Sequence, residues 1–186
     1  MALVQAAWTL ELPRLPMWLR GRTLVARMVQ TPTDDPFRTR LRTVTVRDLY
    51  DRWRSLKGDG PLPPLGRFDP DPLGASGHLF TVEVDRAREP VSFRFLSVGQ
   101  ALAVRLGRPL AGELVPETGE EVIGALEGAY RRCARTGGPS YEYARFDLDD
   151  GGPILFERLL LPFSADGQTV THLVGLVAFA DPATPA

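Results

Sequence analysis

The sequence predicts an α+β protein built around an antiparallel sheet. Segments of strand-like composition lie at residues 78–98 and 140–180, on either side of a stretch with helical periodicity. Strands grouped around central helices in this way are typical of α+β domains. Residues 154–163 and 169–180 predict a hairpin around an Asp-Gly turn, and both of its strands are apolar on both faces. We therefore expect the sheet to be covered on both sides by helices, a second subunit or a ligand.

The overall composition is that of an ordinary globular domain. Of the 186 residues, 44% are hydrophobic and 24% are charged, and the net charge is -1. The single cysteine, Cys133, excludes an intramolecular disulfide and favours a cytoplasmic location. No apolar run approaches the roughly 18 residues of a membrane span. The sequence thus predicts one domain without a membrane-spanning helix.

The N-terminal region differs in charge from the rest of the chain. Residues 1–47 contain eight arginines against three acidic residues, a net charge of +5, whereas the remainder carries -6. Prolines interrupt residues 1–43, so we predict a basic, flexible tail there, followed by a domain at 44–181 and a short C-terminal tail at 182–186. Alternatively, residues 17–29 form a basic amphipathic helix that contacts a membrane surface. Nucleic acid is not an expected partner, because the arm has little aromatic interleaving beyond Trp8 and Trp18.

The first predicted helix of the domain covers residues 46–57. Thr45 is the expected N-cap, and Gly58 begins the segment that ends the helix. One face of this helix carries apolar residues at helical spacing, namely Leu49, Tyr50, Trp53 and Leu56. We expect this face to pack against the outer side of the sheet or against a second subunit. The candidate dimer residues are Leu49, Trp53 and Leu56.

The other elements follow from hydrophobic periodicity. Residues 61–77 are rich in Pro and Gly and are expected to be irregular. A long helix at 119–136 has an apolar stripe that includes Leu126, Tyr130 and Cys133, and the glycines at 137–138 end it. The remaining predicted elements are strands at 78–85 and 91–98, a short helix at 99–106 and a strand at 140–148 before the hairpin.

Several segments, in this order, resemble a bacterial PAS subfamily that is common in alphaproteobacteria. They are LYDRWRSLKG at 49–58, LP at 62–63, FDP at 68–70, FRFLSVG at 93–99, LGRPLAG at 106–112, FERLLLP at 156–162 and LVGLVAF at 173–179. The resemblance spans about residues 45–181. Leu96, Gln100 and Ala111 depart from the Arg, Thr and Thr that are usual there. The resemblance implies a five-stranded antiparallel sheet with helices on one face, preceded by an N-terminal helix.

A PAS domain has its ligand pocket between the sheet and the central helices, so the resemblance also implies a site. Glu157 and Arg158 are neighbours in a strand and must point to opposite faces. Either of them could orient a polar ligand, or lie as a charge at the sheet rim, because a buried charge needs a partner. The sequence leaves open which of the two points inward. The candidate pocket residues are Phe95, Leu102, Leu126, Tyr130, Tyr143, Phe156, Arg158 and His172.

The resemblance gives no support for a haem or flavin cofactor, and the ligand is not identified. Haem-binding PAS domains that sense oxygen carry a histidine on the long helix, and residues 119–136 contain none. Light-sensing flavin domains place a cysteine in an Asn-Cys-Arg-Phe-type motif, whereas Cys133 lies in YRRCA and is predicted to be a buried helix residue. His78, His172 and Cys133 match no metal-ligand spacing.

Three functional hypotheses follow. The first is a stand-alone sensory or regulatory module of the PAS type. It would bind a small ligand or a partner protein in signal transduction, have no attached effector and act on a downstream signalling protein. The second is a ligand-free homodimerisation module. The third, an enzyme that uses Glu157, His172 and Tyr130 in acid–base chemistry, is not favoured, because nothing in their spacing supports it.

Overall fold

A computed structural model of the chain describes residues 35–107, 109–115, 127–148 and 152–180. Its centre is a five-stranded antiparallel sheet with the strand order β2-β1-β5-β4-β3. The strands are β1 (Leu79–Asp85), β2 (Ser92–Val98), β3 (Ser140–Leu148), β4 (Gly152–Ser164) and β5 (Val170–Ala180). The helices are α1 (Val44–Lys57), α2 (Gln100–Arg105) and α3 (Glu127–Thr136), with short 3-10 turns between α1 and β1. The predicted α+β class and five-stranded sheet are confirmed.

The sheet has two buried faces, each covered by a different part of the chain. Side chains alternate along each strand, so successive residues of β4 contribute to opposite faces. The α3 face is covered by α2 and α3 and carries Phe80, Val82, Phe93, Phe95, Leu160 and Leu173. The α1 face is covered by α1 and carries Leu79, Leu159, Leu161, Phe163, Val174 and Leu176. Both apolar faces of the hairpin are therefore covered by helices of the same chain.

Helix α1 is held against the sheet by its apolar face. Leu49 and Trp53 are buried in the α1-face core, and the indole Nε1 of Trp53 donates a hydrogen bond of 2.8 Å to the Pro162 carbonyl in β4. Leu56 packs against the same core and is partly buried. The prediction that these three residues form a dimer surface is therefore wrong, because the chain's own sheet already covers them.

The N-terminus of α1 also differs from the prediction. The N-cap is Thr43, whose Oγ1 accepts a hydrogen bond of 3.4 Å from the Val46 N–H, and Thr45 lies inside the first turn. Residues 35–43, predicted as tail, pack against the domain. Leu41 is buried, and the Asp35 carboxylate accepts a hydrogen bond of 2.7 Å from the Tyr50 hydroxyl. The folded unit thus begins well before residue 44, while residues 1–34 and 181–186 lie outside the described residues.

Helix α3 contributes the central side chains of the α3-face core. Ala129, Tyr130 and Cys133 are buried and face the sheet. The helix ends at Gly137, where a φ of +65° is easily adopted by glycine. Residues 116–126, including the predicted pocket residue Leu126, lie outside the described residues.

A glycine in β5 makes room for the aromatic part of this core. Gly175 pairs with Phe80 of β1, and a Cβ built on Gly175 would lie 2.0 Å from the Phe80 ring. The ring itself packs against Phe95 at a centroid distance of 5.7 Å and against Tyr130 at 6.4 Å. Because its neighbours hold it on the other side, Phe80 cannot turn away from an added methyl group.

We expect Gly175→Ala to destabilise the protein by about 1–3 kcal/mol through overpacking. Urea unfolding monitored by circular dichroism would measure the loss. Gly66→Ala is the matched control, since a Cβ there meets no atom within 4 Å. Equal stability of Gly175→Ala and the wild type would show that the Phe80 ring is free to move.

The turn between β4 and β5 is organised by one carboxylate. Asp166 Oδ1 accepts hydrogen bonds from the Ser164 hydroxyl at 2.7 Å and from the N–H groups of Gln168 and Thr169 at 2.9 and 2.8 Å. The Thr169 N–H, the Ser164 hydroxyl and the Gln168 N–H together lower the pKa of Asp166 to about 2. The predicted Asp-Gly turn is therefore present and depends on an ionised aspartate.

A carboxyl group with a lowered pKa in the folded state stabilises the fold above its unfolded pKa of about 4, and this contribution is lost as the pH falls through its folded value. We expect Asp166→Asn to be less stable than the wild type at pH 7, and the difference to disappear near pH 2. Thermal unfolding across this pH range measures it. Asp59→Asn, at another exposed aspartate, is the control. A pH-independent difference would contradict the role assigned to the ionised carboxylate.

Candidate functional site

Two neighbouring charged residues of β4 point to opposite faces of the sheet. Arg158 lies on the α3 face and Glu157 on the α1 face, and they are 2% and 1% exposed. The burial pattern of β4 from residue 156 to 164 has no exposed residue, so both side chains lie inside the protein. Buried charges of this kind are unfavourable unless partners compensate for their lost hydration.

Arg158 is only partly compensated by its neighbours. Its Nη2 donates a hydrogen bond of 2.8 Å to Glu142 Oε2 on β3, and its guanidinium lies 5.5 Å from the centroid of the Tyr130 ring. Its Nη1 is buried and has no hydrogen-bond partner among the described residues. Burial lowers the pKa of Arg158, and the groups at Tyr130 and Glu142 act in the opposite direction. One edge of a buried guanidinium is therefore available to an acceptor.

Next to Arg158 lie a phenol and a thiol that are both uncharged at neutral pH, those of Tyr130 and Cys133. Burial raises the pKa of Tyr130 to about 12, and Arg158 lowers it in part. Burial likewise raises the pKa of Cys133 to about 12, so this thiol is protonated at neutral pH. Cys133 Sγ lies 3.9 Å from the Leu160 carbonyl oxygen, and its predicted role as a buried helix residue is confirmed.

The structure brings most of the described pocket candidates to the α3 face. Phe95, Leu102 and Tyr130 belong to one core, and the Phe93 ring packs against Tyr130 in a tilted arrangement with a centroid distance of 5.7 Å. Phe156 is buried two residues from Arg158 on the same strand and therefore shares its face. The open question of which neighbour points toward the helices is answered in favour of Arg158.

Two other pocket candidates lie on the opposite side of the sheet. Tyr143 pairs with Glu157, is 37% exposed and lies under the Arg42 guanidinium at 4.0 Å. His172 pairs with Glu83 and with Phe163 of the α1 face. Burial lowers the pKa of His172, and the Glu83 charge acts against this. Both residues were wrongly placed because the parity of β3 and β5 relative to the helices is not visible in the sequence.

The three residues considered for acid–base chemistry are not brought together. Tyr130 is on the α3 face, whereas Glu157 and His172 are on the α1 face. In the β4–β5 register Glu157 pairs with Ala178, six positions along β5 from His172, which is about 20 Å at the usual rise per residue. The structure therefore gives no geometric support for a shared reaction centre.

Glu157 anchors the start of α1, a role that the sequence analysis missed. Its Oε1 accepts a hydrogen bond of 2.6 Å from the Arg42 N–H, and its Oε2 accepts one of 3.0 Å from the Thr43 N–H. A carboxylate at a helix N-terminus also interacts favourably with the helix dipole. Burial and then the Glu157 charge raise the pKa of the neighbouring Tyr141 to about 12. In the sequence, the presence of an acidic residue inside an otherwise apolar strand could have indicated this role.

Two cavities that are lined by described residues border α3. The smaller, of about 310 Å³, is lined by Ala129 and Arg132 of α3 and by Tyr141 and Glu142 of β3, so it reaches the residue that pairs with Arg158. The larger, of about 910 Å³, lies between the C-terminal half of α3, the β1–β2 connection and the β4–β5 turn. The smaller cavity is therefore the nearer of the two to the buried ion pair.

The described side chains contain no group of three or more His, Cys, Asp or Glu residues placed to hold a metal ion. In the same parts of the chain, no helix has the length and hydrophobicity needed to cross a membrane.

Comparison with known proteins gives similar folds without a family assignment. No protein-family model matches the chain, and no curated protein matches it. The PAS domain of Bordetella pertussis BvgS is similar at 14% identity over 73% of this chain and 89% of that chain, with a TM-score of 0.45. A light-oxygen-voltage domain characterised with a flavin analogue is similar at 11% identity, 59% and 81% coverage and a TM-score of 0.43. A fungal light-oxygen-voltage photoreceptor domain is similar at 17% identity over 73% of this chain and 91% of that chain, with a TM-score of 0.38.

These neighbours are PAS and light-oxygen-voltage domains. At these identities and TM-scores the likeness concerns the fold alone.

We expect Glu157→Gln to loosen the start of α1. The amide replaces one acceptor oxygen with a donor that faces an N–H group, and loss of a charge-assisted hydrogen bond costs about 1–3 kcal/mol. Urea unfolding would measure the stability, and hydrogen exchange at the Arg42 and Thr43 amides would locate the change. Glu83→Gln, at an exposed carboxylate on β1, is the control. Unchanged exchange at both amides would contradict the anchoring role of Glu157.

Proposed function

We propose that this chain is a sensory module that binds a small carboxylate at Arg158 and transmits the bound state to α1 through strand β4. The observation that carries the proposal is the buried Arg158 guanidinium, which has one unpartnered edge on the α3 face. A domain that merely packed its core would gain stability from an apolar side chain at this position. A buried arginine with an available donor is better explained by a hydrogen-bond acceptor that binds reversibly.

The chemistry of the site favours an anion with a planar carboxylate. A guanidinium offers a fork of donors that matches the two oxygens of a carboxylate. Glu142 occupies Nη2 from one side, and its side chain is 39% exposed. An incoming carboxylate can bind Nη1 beside Glu142, or replace Glu142 and let it return to water. The neighbouring rings of Tyr130 and Phe93 would contact the apolar part of such a ligand.

The cavity beside Glu142 supports a small ligand. Its volume of about 310 Å³ is at the lower end of the range for ligand pockets. It is lined by Glu142, whose carboxylate accepts the hydrogen bond from Arg158 Nη2, so a molecule in the cavity lies next to the partner of the guanidinium. We therefore assign the ligand to short carboxylic acids rather than to large cofactors.

Transmission to α1 rests on the adjacency of the two charged residues. A ligand that draws Arg158 toward the cavity acts on the β4 backbone at the residue next to Glu157. Glu157 holds the amides of Arg42 and Thr43 at the N-terminus of α1, so a small shift of β4 alters how tightly this turn is held. The output partner would be a downstream signalling protein that recognises the changed region. The single buried thiol at Cys133 supports a reducing, cytoplasmic setting for this protein.

We expect Arg158→Met to fold with wild-type stability or better and to lose carboxylate binding. Methionine fills the site without a buried charge, and the remaining Glu142 can be solvated. Thermal unfolding against a panel of short mono- and dicarboxylic acids would measure binding. A ligand at about 100 times its Kd should raise the wild-type Tm by roughly 5–10 °C and leave that of Arg158→Met unchanged.

Arg105→Met removes an exposed arginine of α2 and is the matched control, which should respond like the wild type. Native mass spectrometry of the same three proteins would show the bound mass. Binding of the same acid by Arg158→Met, or no stabilisation of the wild type by any acid of the panel, would refute the proposal.

A further inference from the structure

The larger cavity is a groove with a strongly basic rim. It has a volume of about 910 Å³ and lies between α3, the β1–β2 connection and the β4–β5 turn. Four arginines line it, namely Arg86, Arg131, Arg132 and Arg135, against one acidic residue, Glu89. The described lining therefore carries a formal charge of +3, from four positive charges and one negative. The whole chain, in contrast, carries -1.

The geometry of the arginines is set by the fold. Arg86 is fixed because its Nη2 donates to the carbonyl oxygens of Ala134 at 2.8 Å and Val170 at 3.2 Å. Arg131, Arg132 and Arg135 are exposed on the face of α3 that lines the groove. Arg132 and Arg135 are three residues apart, so their like charges lie next to each other on this face of the helix.

The helix dipole accounts for only part of this cluster. Cations are favourable in the last turn of a helix, but Arg135 is the basic residue of that turn in α3, and Arg131 and Arg132 lie one turn earlier. Arg86 comes from a different element and faces the same groove. A convergence of guanidinium groups from two elements on one concave surface is what anion recognition requires.

The floor of the groove is apolar. Leu62, Val91 and Val170 line it beneath the arginines, and Leu62 and Val170 are almost fully buried. Phe93 is the aromatic residue among the described lining side chains and is fully buried, so no exposed ring is available on which a nucleic-acid base could stack. Apolar floor and cationic rim together fit a chain segment that alternates acidic and apolar side chains.

We infer that this groove binds an acidic peptide segment of a partner protein, with carboxylates on the arginine rim and an apolar side chain on the floor. Carboxylates match the guanidinium fork, and an extended segment can reach the α3 rim and the opposite wall at once. The chain's own N-terminal region is not a suitable occupant, because residues 1–34 carry four arginines against Glu11 and Asp34. Arg132 lines both cavities, but Arg86 and Arg135 line this groove and not the smaller cavity, so the inference does not depend on the carboxylate site at Arg158.

The test is fluorescence anisotropy with the full chain and a fluorescein-labelled, glutamate-rich peptide that has leucines at its centre. We expect saturable binding that weakens with salt. The double variant Arg132→Glu/Arg135→Glu should bind at least about tenfold more weakly, because the charge reversal places its carboxylates opposite those of the peptide. Arg105→Glu, at an exposed arginine of α2 outside the groove, is the control and should bind like the wild type.

Five comparisons decide the outcome. A peptide with glutamine in place of glutamate, and one with glycine in place of leucine, should each bind more weakly than the parent peptide. Equal binding by the double variant, or stronger binding of a single-stranded oligonucleotide than of the peptide, would overturn the inference. Complete displacement of the peptide by pyrophosphate would also overturn the inference if sodium chloride at the same ionic strength does not displace it. Such a result would identify a site for free phosphate compounds. Circular dichroism of the double variant verifies its fold, which exposed residues should leave intact.

Discussion

Strand β4 places two buried charges of opposite sign on opposite sides of the sheet. Arg158 faces α3 and pairs with Glu142 on β3, whereas Glu157 faces α1 and accepts hydrogen bonds from the backbone amides of Arg42 and Thr43, which directly precede that helix. Each charge therefore has its partner in a different part of the chain: strand β3 for Arg158, and the segment before α1 for Glu157. The position of the β4 backbone therefore affects both at once.

The apolar packing explains why this strand can carry such charges. β4 lies between β3 and β5, and its residues from 156 to 164 are buried on both faces, with Leu160 in the α3-face core and Leu159 and Leu161 in the α1-face core. Arg158 and Glu157 are almost fully buried, so their energies depend mainly on the protein partners described above. Helix α1, fixed by Trp53 and by Glu157, serves as the cover of one face and as the element best placed to respond.

Much of the fold could be predicted from the sequence. The alternating and continuous apolar segments predicted all five strands, and the apolar face of α1 was identified correctly as a contact surface. Its partner was not, since Leu49 and Trp53 would look the same packed on the chain's own sheet or on a second subunit. The N-cap was misassigned because both Thr43 and Thr45 precede the helical pattern, and only the backbone geometry separates them.

The candidate site was predictable to a smaller extent. Adjacent positions in a strand required Glu157 and Arg158 to diverge, but which of them faced the helices depended on the register of three strands. Tyr143 and His172 were misplaced for the same reason. The basic groove could not be foreseen either, because Arg86 and Arg132 are far apart in sequence and meet only through the packing of α3 against the sheet.

In the proposed signalling path, an anion binds the free edge of Arg158 and the contacts of Glu157 change in response. The most direct measurement is a pair of crystal structures, one without ligand and one with the carboxylic acid that most raises the Tm. In the crystal with ligand we expect carboxylate oxygens about 3 Å from Arg158 Nη1, together with a change in the contacts of Glu157 with Arg42 and Thr43. A carboxylate bound elsewhere, or Nη1 paired in both crystals with a side chain of this same chain, would contradict it.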